Sequence, residues 1–85
     1  MNQSIIFTDL VEWLPAQRQV RFIAQQNGVN IGCLVGLPLL TKLSGTQADE
    51  TNAMQLFEDV RFDLEDKAES LIEDEAFDEE GQIRL

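Results

Sequence analysis

The dipeptide Asn27-Gly28 narrows the choice of folds for this chain more than any other feature of its sequence. Asn followed by Gly suits the two central positions of a type I′ turn, because both positions require positive φ. A two-residue loop of this type pairs Gln26 with Val29. We therefore expect an antiparallel hairpin over residues 18–35, with its register set by the turn.

The predicted register gives the hairpin one apolar face, because strand side chains alternate between the two faces of a sheet. The cross-strand pairs on that face are Ala24 with Ile31, Phe22 with Cys33, and Val20 with Val35. The opposite face carries Arg21, Ile23 and Gln25 across from Leu34, Gly32 and Asn30. The turn chemistry and the apolar pattern thus indicate the same hairpin independently.

The chain before the hairpin predicts one short strand followed by a loop. Residues 4–8 are rich in the β-branched and aromatic types that favour strands. Residues 9–16 show no clean period and include Pro15, so we expect a loop there. Trp13 in that loop is expected to fold back on the core, since a free indole would leave a large apolar area in water.

The chain after the hairpin predicts two helices and a final strand. Pro38 suits the first position of a short helix over residues 38–44, and Gly45 suits the left-handed residue that ends it. A long helix is predicted over residues 48–74, with Thr46 or Asp49 as its N-cap. Its apolar stripe comprises Ala53, Phe57, Val60, Leu64, Ala68 and Leu71, flanked by Leu56 and Ile72. Residues 82–85 alternate in polarity and favour a short added strand.

These elements define an α+β fold in a single domain, residues 1–85. A small antiparallel sheet built on the hairpin packs against the long amphipathic C-terminal helix, and the short helix connects them. A lone cysteine, Cys33, fits a reducing compartment. Residues 1–4 lack the basic region of a signal peptide, and the apolar stretch at 31–40 is too short to span a bilayer. We therefore expect a soluble cytoplasmic protein without a membrane partner.

The whole pattern resembles the small bacterial proteins grouped as domain of unknown function 1488, DUF1488. The resemblance rests on the N-terminal strand with Phe7, Glu12-Trp13, Val20-x-Phe22, Asn27-Gly28, Arg61-Phe62-Asp63-Leu64-Glu65, Ala68-Glu69-x-Leu71-Ile72 and a terminus with Gly81. It covers essentially the whole chain. It implies an α+β fold in a bacterial cytoplasm and no particular activity, cofactor or catalytic residue. Relatives often carry Trp where this chain has Phe62.

The residue types that usually carry out catalysis are scarce here. The chain has no histidine and no tyrosine, so the commonest general base is absent. Cys33 is expected mid-strand on the core face, as a small buried hydrophobe. Residues 74–83 lack the first carboxylate and the closing glutamate of a calcium loop. We therefore predict a protein that is not an enzyme, with no catalytic, metal or cofactor-binding residues and no cofactor.

The acidic residues are concentrated in one part of the chain. Between Asp49 and Glu80 lie fourteen acidic and two basic residues, a net charge of −12 within a chain of net charge −10. Such a balance argues against direct nucleic-acid binding and leaves a basic partner or a merely solvated face. Glu58, Glu65, Asp66, Glu69 and Glu73 are predicted to lie opposite the apolar stripe. Asp63 and Lys67 have the spacing of an attractive ion pair.

Phe62 is predicted in the middle of this acidic face, about 180° from the apolar stripe of the helix. An aromatic ringed by carboxylates is typical of an interaction hot spot or a self-association contact. The alternative is that the N-terminal loop with Trp13 folds over the helix and covers Phe62. The candidate contact residues are Glu58, Phe62, Glu65, Asp66, Glu69 and Glu73.

Two functions from different classes follow from this build. The first is a non-catalytic interaction or regulatory module that presents its acidic helix face to a basic protein partner, or pairs as a homodimer. The second is a small-molecule-binding domain with a pocket between the sheet and the helix. A closed apolar pocket with a few inward polar groups would favour the second function, whereas a solid core would remove it.

Overall fold

The computed structural model describes residues 4–85, which form a four-stranded sheet with helices packed on one face. The strands are β1 (Ile5–Leu14), β2 (Gln19–Gln26), β3 (Val29–Gly36) and β4 (Ile83–Arg84), in that spatial order. The first three run antiparallel, and β4 pairs with β3 in parallel. The α+β class and the added C-terminal strand are confirmed.

The hairpin has the register that the Asn27-Gly28 turn predicted. Asn27 and Gly28 have φ values of 55° and 81°, as a type I′ turn requires. Gln26 pairs with Val29, and the remaining pairs follow in step to Gln19 with Gly36. The apolar pairs of the core face are buried from solvent.

The loop predicted over residues 9–16 is wrong, because β1 continues to Leu14. The register shifts between Phe7 and Val11, so the strand contains a bulge with extra residues. That bulge disrupts the alternation of polarity, which is why the segment showed no clean period in the sequence. Pro15 lies just beyond the strand end. Trp13 packs partly buried against the core, as expected, although it does so from a strand.

Helix α1 spans Leu37–Ser44, with proline in its first turn. Gly45 ends it with φ 76°, and its N–H donates to Thr41 O at 2.9 Å. The Gly45 end matches the prediction, whereas the helix begins one residue earlier than predicted, which makes Pro38 its second position and not its first.

The long helix predicted over 48–74 is two helices, α2 (Ala53–Asp59) and α3 (Arg61–Glu73). Residues before Ala53 form a turn instead, in which the Asp49 carboxylate accepts the Thr51 and Asn52 N–H groups at 2.8 and 3.1 Å. Asp49 therefore caps this turn, four residues before Ala53, and the N-cap residue of α2 itself is Asn52.

The break between α2 and α3 falls at Val60, whose φ and ψ are −115° and 20°. The Val60 N–H is shared between Leu56 O at 3.1 Å and Phe57 O at 3.2 Å, a tightened turn of the kind found at helix ends. Neither proline nor glycine lies at this point, so no local sequence signal marks it.

The core lies between the sheet and the helices. Phe22 of β2 packs between Phe7 and Phe57, with ring centroids 6.1 and 5.1 Å apart respectively. Most of the predicted helical stripe is buried, although Ile72 is buried more completely than Leu71. This arrangement leaves the opposite face of α3 to solvent.

Candidate interaction surface

Arg61, the first residue of α3, joins that helix to the bulge of β1. Its Nη2 donates to Thr8 O at 2.7 Å, a contact across 53 positions of the chain. Its Nε donates to Glu65 at 2.8 Å and its Nη1 to Glu58 at 3.3 Å. The guanidinium also lies over the Phe57 ring, 5.5 Å from the centroid. The hydrogen bond to Glu65 raises the pKa of Arg61, so the cation persists at all physiological pH values.

Phe62 projects into solvent from the next position along α3. Its side chain is 81% exposed, the largest exposure among the apolar side chains of the described residues. Because Arg61 points toward β1 and Leu64 into the core, Phe62 is directed outward by the rotation of the helix. Within residues 4–85, the segment with Trp13 therefore does not cover Phe62, and its role in a contact stays a prediction.

The acidic candidates divide into two groups by their contacts. Glu65 is only 18% exposed and is engaged by Arg61, so it supports the helix rather than facing outward. Glu58 also contacts Arg61 but stays 55% exposed. Asp66, Glu69 and Glu73 make no ion pair within residues 4–85. We call Glu58, Phe62, Asp66, Glu69 and Glu73 the acidic ridge.

A second surface, not foreseen from the sequence, lies on the other side of α3. It is an open groove of about 560 Å³ between α1, α3 and the C-terminal strand. We call it the basic groove, and it is lined by Leu39, Lys67, Ser70, Leu71, Arg84 and Leu85. Its residues are far apart in the chain, and the only sequence signal for it was the predicted strand at 82–85.

Lys67 contributes an unpaired charge to this groove. The ion pair predicted between Asp63 and Lys67 does not form, and Lys67 contacts no carboxylate within residues 4–85. Arg84 donates through Nε to Asp78 at 2.9 Å. Hydrogen bonds from Gln82 N–H, Glu80 N–H and the Arg84 side chain lower the pKa of Asp78, so this carboxylate stays ionised at neutral pH.

The uncovered face of the sheet carries a mixed set of side chains. Arg21 forms a salt bridge with Glu12, and the Gln25 side chain donates to Asn30 at 2.9 Å. Glu12, Arg21 and Asn30 line a hollow of about 380 Å³ together with Leu10, Val11 and Ile23. Its charges pair with each other, which leaves little to recognise a charged ligand.

The interior offers little room for chemistry. Cys33 is fully buried, and burial raises the pKa of its thiol to about 12. Phe22, Phe57 and Leu64, which lie between the sheet and the helices, are at most 1% exposed and belong to one apolar cluster. Within residues 4–85, no group of three acidic or cysteine side chains is placed to hold a metal ion. The same residues contain no helix long and apolar enough to cross a membrane.

The fold and these surfaces define a small α+β protein with one uncovered sheet face and a charged surface helix. The chain belongs to the DUF1488 family, described as a protein of unknown function, whose model matches residues 5–85. It is 35% identical to uncharacterized protein YrdB of Escherichia coli K12 over 86 residues, covering 100% of this chain and 99% of that one. The same protein of Shigella flexneri is 34% identical with the same coverage.

A solved structure of the family has the same fold. The crystal structure of a DUF1488 protein of unknown function from Shewanella loihica PV-4 superposes with a TM-score of 0.92 at 44% sequence identity. The match covers 100% of this chain and 94% of that one. The family and its architecture are thus shown.

Proposed function

We propose that this protein is a non-catalytic interaction module of the bacterial cytoplasm that docks its acidic ridge onto a basic protein surface. The single observation that carries the proposal is the exposure of Phe62, which is 81% exposed with Glu58 and Asp66 four positions before and after it. Exposed single apolar residues are ordinary, so the argument depends on what surrounds this one.

The energetics of the ridge favour an apolar anchor with a charged rim. Burying a phenylalanine side chain contributes about 1.5–3 kcal/mol, and buried aromatic anchors dominate the binding free energy of many interfaces. Repulsion between carboxylates spaced one helical turn apart costs a few tenths of a kcal/mol per pair in the free protein. A basic partner would relieve that repulsion, and this gain adds to the burial of Phe62.

The position of Phe62 is well defined before any partner binds. Arg61 connects α3 to Thr8, Glu58 and Glu65, and it lies over Phe57 of the core. The neighbouring backbone of Phe62 is therefore held by contacts with β1 and the core. Such preorganisation lowers the entropy cost of docking.

The filled interior supplies no observation in favour of the ligand-binding alternative. A pocket between the sheet and the helices would require free volume where Phe22, Phe57 and Leu64 are in contact. A net charge of −10 likewise supports a protein partner over nucleic acid, because each phosphate contact would be repulsive.

The test is a pull-down with the tagged protein from the lysate of its native host, followed by mass spectrometry and repeated with purified partner. Phe62→Ala is compared with Val29→Ala, which shortens an equally apolar side chain that is 63% exposed at the hairpin tip. We expect a basic partner that is retained by wild type and V29A, lost with F62A, and weakened at moderate salt. A partner that binds F62A as well as wild type would refute the role of the ridge.

A further inference from the structure

The basic groove and the acidic ridge have matching chemistry on a single molecule. The groove has an apolar floor of Leu39, Leu71 and Leu85 with Lys67 and Arg84 beside it. The ridge has an exposed aromatic ring with carboxylates beside it. We propose that the basic groove of one copy binds the acidic ridge of a second copy, with Phe62 seated on the apolar floor. The inference rests on the proposed function and names one partner of that ridge.

The distribution of cations supports this assignment. Arg18, Arg21 and Arg61 are each engaged by glutamates of their own chain. Lys42 and Lys67 are not engaged by any carboxylate of residues 4–85, and of the two only Lys67 lines the groove. An unpaired cation beside exposed apolar surface is complementary to an aromatic ring that is flanked by carboxylates.

The size of the groove is compatible with such a guest. Its volume of about 560 Å³ lies inside the range of about 300–1,000 Å³ found for sites that hold drug-sized molecules. A phenylalanine ring with the first atoms of its flanking side chains is smaller than that. The groove is open to solvent, so a protruding side chain of another copy can reach its apolar floor.

The geometry of α3 determines the kind of assembly. Phe62 and Leu71 are nine residues apart, which places them about 180° apart around the helix axis. One two-fold interface cannot contain both surfaces when they face opposite directions. The contact is therefore heterologous, head to tail, and the assembly retains one free ridge at one end and one free groove at the other.

The net charge determines how the association responds to salt. Two copies of charge −10 repel each other over a distance that shortens as salt is added. We expect self-association to be weak at low salt and to strengthen toward about 0.15 M salt. A complex with a basic partner would respond in the opposite direction, which separates the two kinds of binding.

The test uses two variants that each remove one of the surfaces. Phe62→Ala removes the ridge anchor and leaves the groove, whereas Lys67→Glu reverses the charge of the groove and leaves Phe62. Both side chains are exposed, so both variants should fold, and circular dichroism with thermal melting checks this. Sedimentation equilibrium at moderate salt measures the mass of each variant and of their mixture.

We expect the average mass of the wild-type protein to rise with concentration above the monomer mass of 9.6 kDa. It should reach no fixed limit, because each added copy exposes a new ridge or groove. Each variant alone should associate at least about tenfold more weakly. Their equimolar mixture should form a dimer that grows no further, because the K67E ridge fits the F62A groove and no second contact remains. This capped dimer is the result specific to a head-to-tail contact.

Three results would overturn the inference. They are a wild type that stays at the monomer mass, a closed dimer that both variants also form, and a mixture that associates no better than its components. Suppose that one of these results is found while binding of a purified basic partner still requires Phe62. The proposal of self-association is then wrong, and the proposed function stands. If the capped dimer forms and no basic partner requires Phe62, the ridge serves self-assembly, and docking on another basic protein is wrong.

Discussion

Phe57 and Phe62 lie five residues apart, at the end of one helix and the start of the next, and their surroundings are opposite. Phe57 is completely buried and packs against Phe22, whereas Phe62 is 81% exposed among carboxylates. The comparison separates two regions of the molecule, an aromatic core that stabilises the fold and an acidic ridge that does little for it. Substitutions in the core should therefore lower the free energy of unfolding, whereas substitutions in the ridge should change binding and leave that free energy nearly unaltered.

The largest effect is expected from Phe57→Ala. Removing a fully buried ring leaves a cavity and costs about 3–5 kcal/mol, a large share of the stability of a domain this small. Chemical denaturation monitored by Trp13 fluorescence measures the loss. A cost below about 1 kcal/mol would mean that the core does not depend on the stacked rings, and the distinction between the two regions would fail.

Arg61 links the two regions, and Arg61→Ala is expected to have the next largest effect. The substitution leaves Glu65 largely buried without its partner and frees Thr8 O, which we expect to cost about 1–3 kcal/mol. The matched control is Arg18→Ala, whose ion pair with Glu50 is exposed on both sides and should be worth at most about 1 kcal/mol. Equal losses in the two variants would show that Arg61 does not connect α3 to β1.

The same comparison explains what the sequence could predict. The register around Asn27-Gly28 follows from turn chemistry and alternation within a few residues, and it is correct along the whole hairpin. The break at Val60 has no local signal, since the residues around it fit a continuous helix and the helix there contacts β1 through Arg61. Propensity and periodicity report local preferences, and long-range contacts of this kind override them.

The candidate surfaces show the same division. The ridge could be found from the sequence because helical periodicity places Phe62 opposite the apolar stripe. The set of carboxylates on the ridge was predicted less accurately, since Glu65 pairs with Arg61 and does not face solvent. The basic groove could not be found, because it depends on the pairing of β4 with β3, which brings Arg84 and Leu85 beside Lys67.

The pH dependence of stability tests whether the Cys33 thiol is buried in the core. Burial raises the pKa of this thiol to about 12 from an ordinary value of 9.0. Its contribution to stability is therefore complete below about pH 9 and is lost as the pH rises from about 9 to about 12, by at most about 1.4 kcal/mol per pH unit. The difference between wild type and Cys33→Ala isolates this part from other alkaline titrations. A difference that stays constant from pH 8 to 11 would contradict a buried thiol.

The smallest effect on stability is expected from Phe62→Ala, and that small value is as informative as the large one at Phe57. An exposed side chain that packs against nothing loses almost no burial when it is shortened, so the free energy of unfolding should change by less than about 0.5 kcal/mol. Replacing phenylalanine by alanine also improves helix propensity by a few tenths of a kcal/mol, which can make the change slightly stabilising. Denaturation of F62A beside F57A, under the same conditions, measures both values.

A loss above about 1 kcal/mol in F62A at an unchanged monomer mass would place its ring in the core and would remove the basis for a docking role. The same loss confined to concentrations at which wild type self-associates would instead report the contact between copies, because assembly stabilises the folded state by mass action.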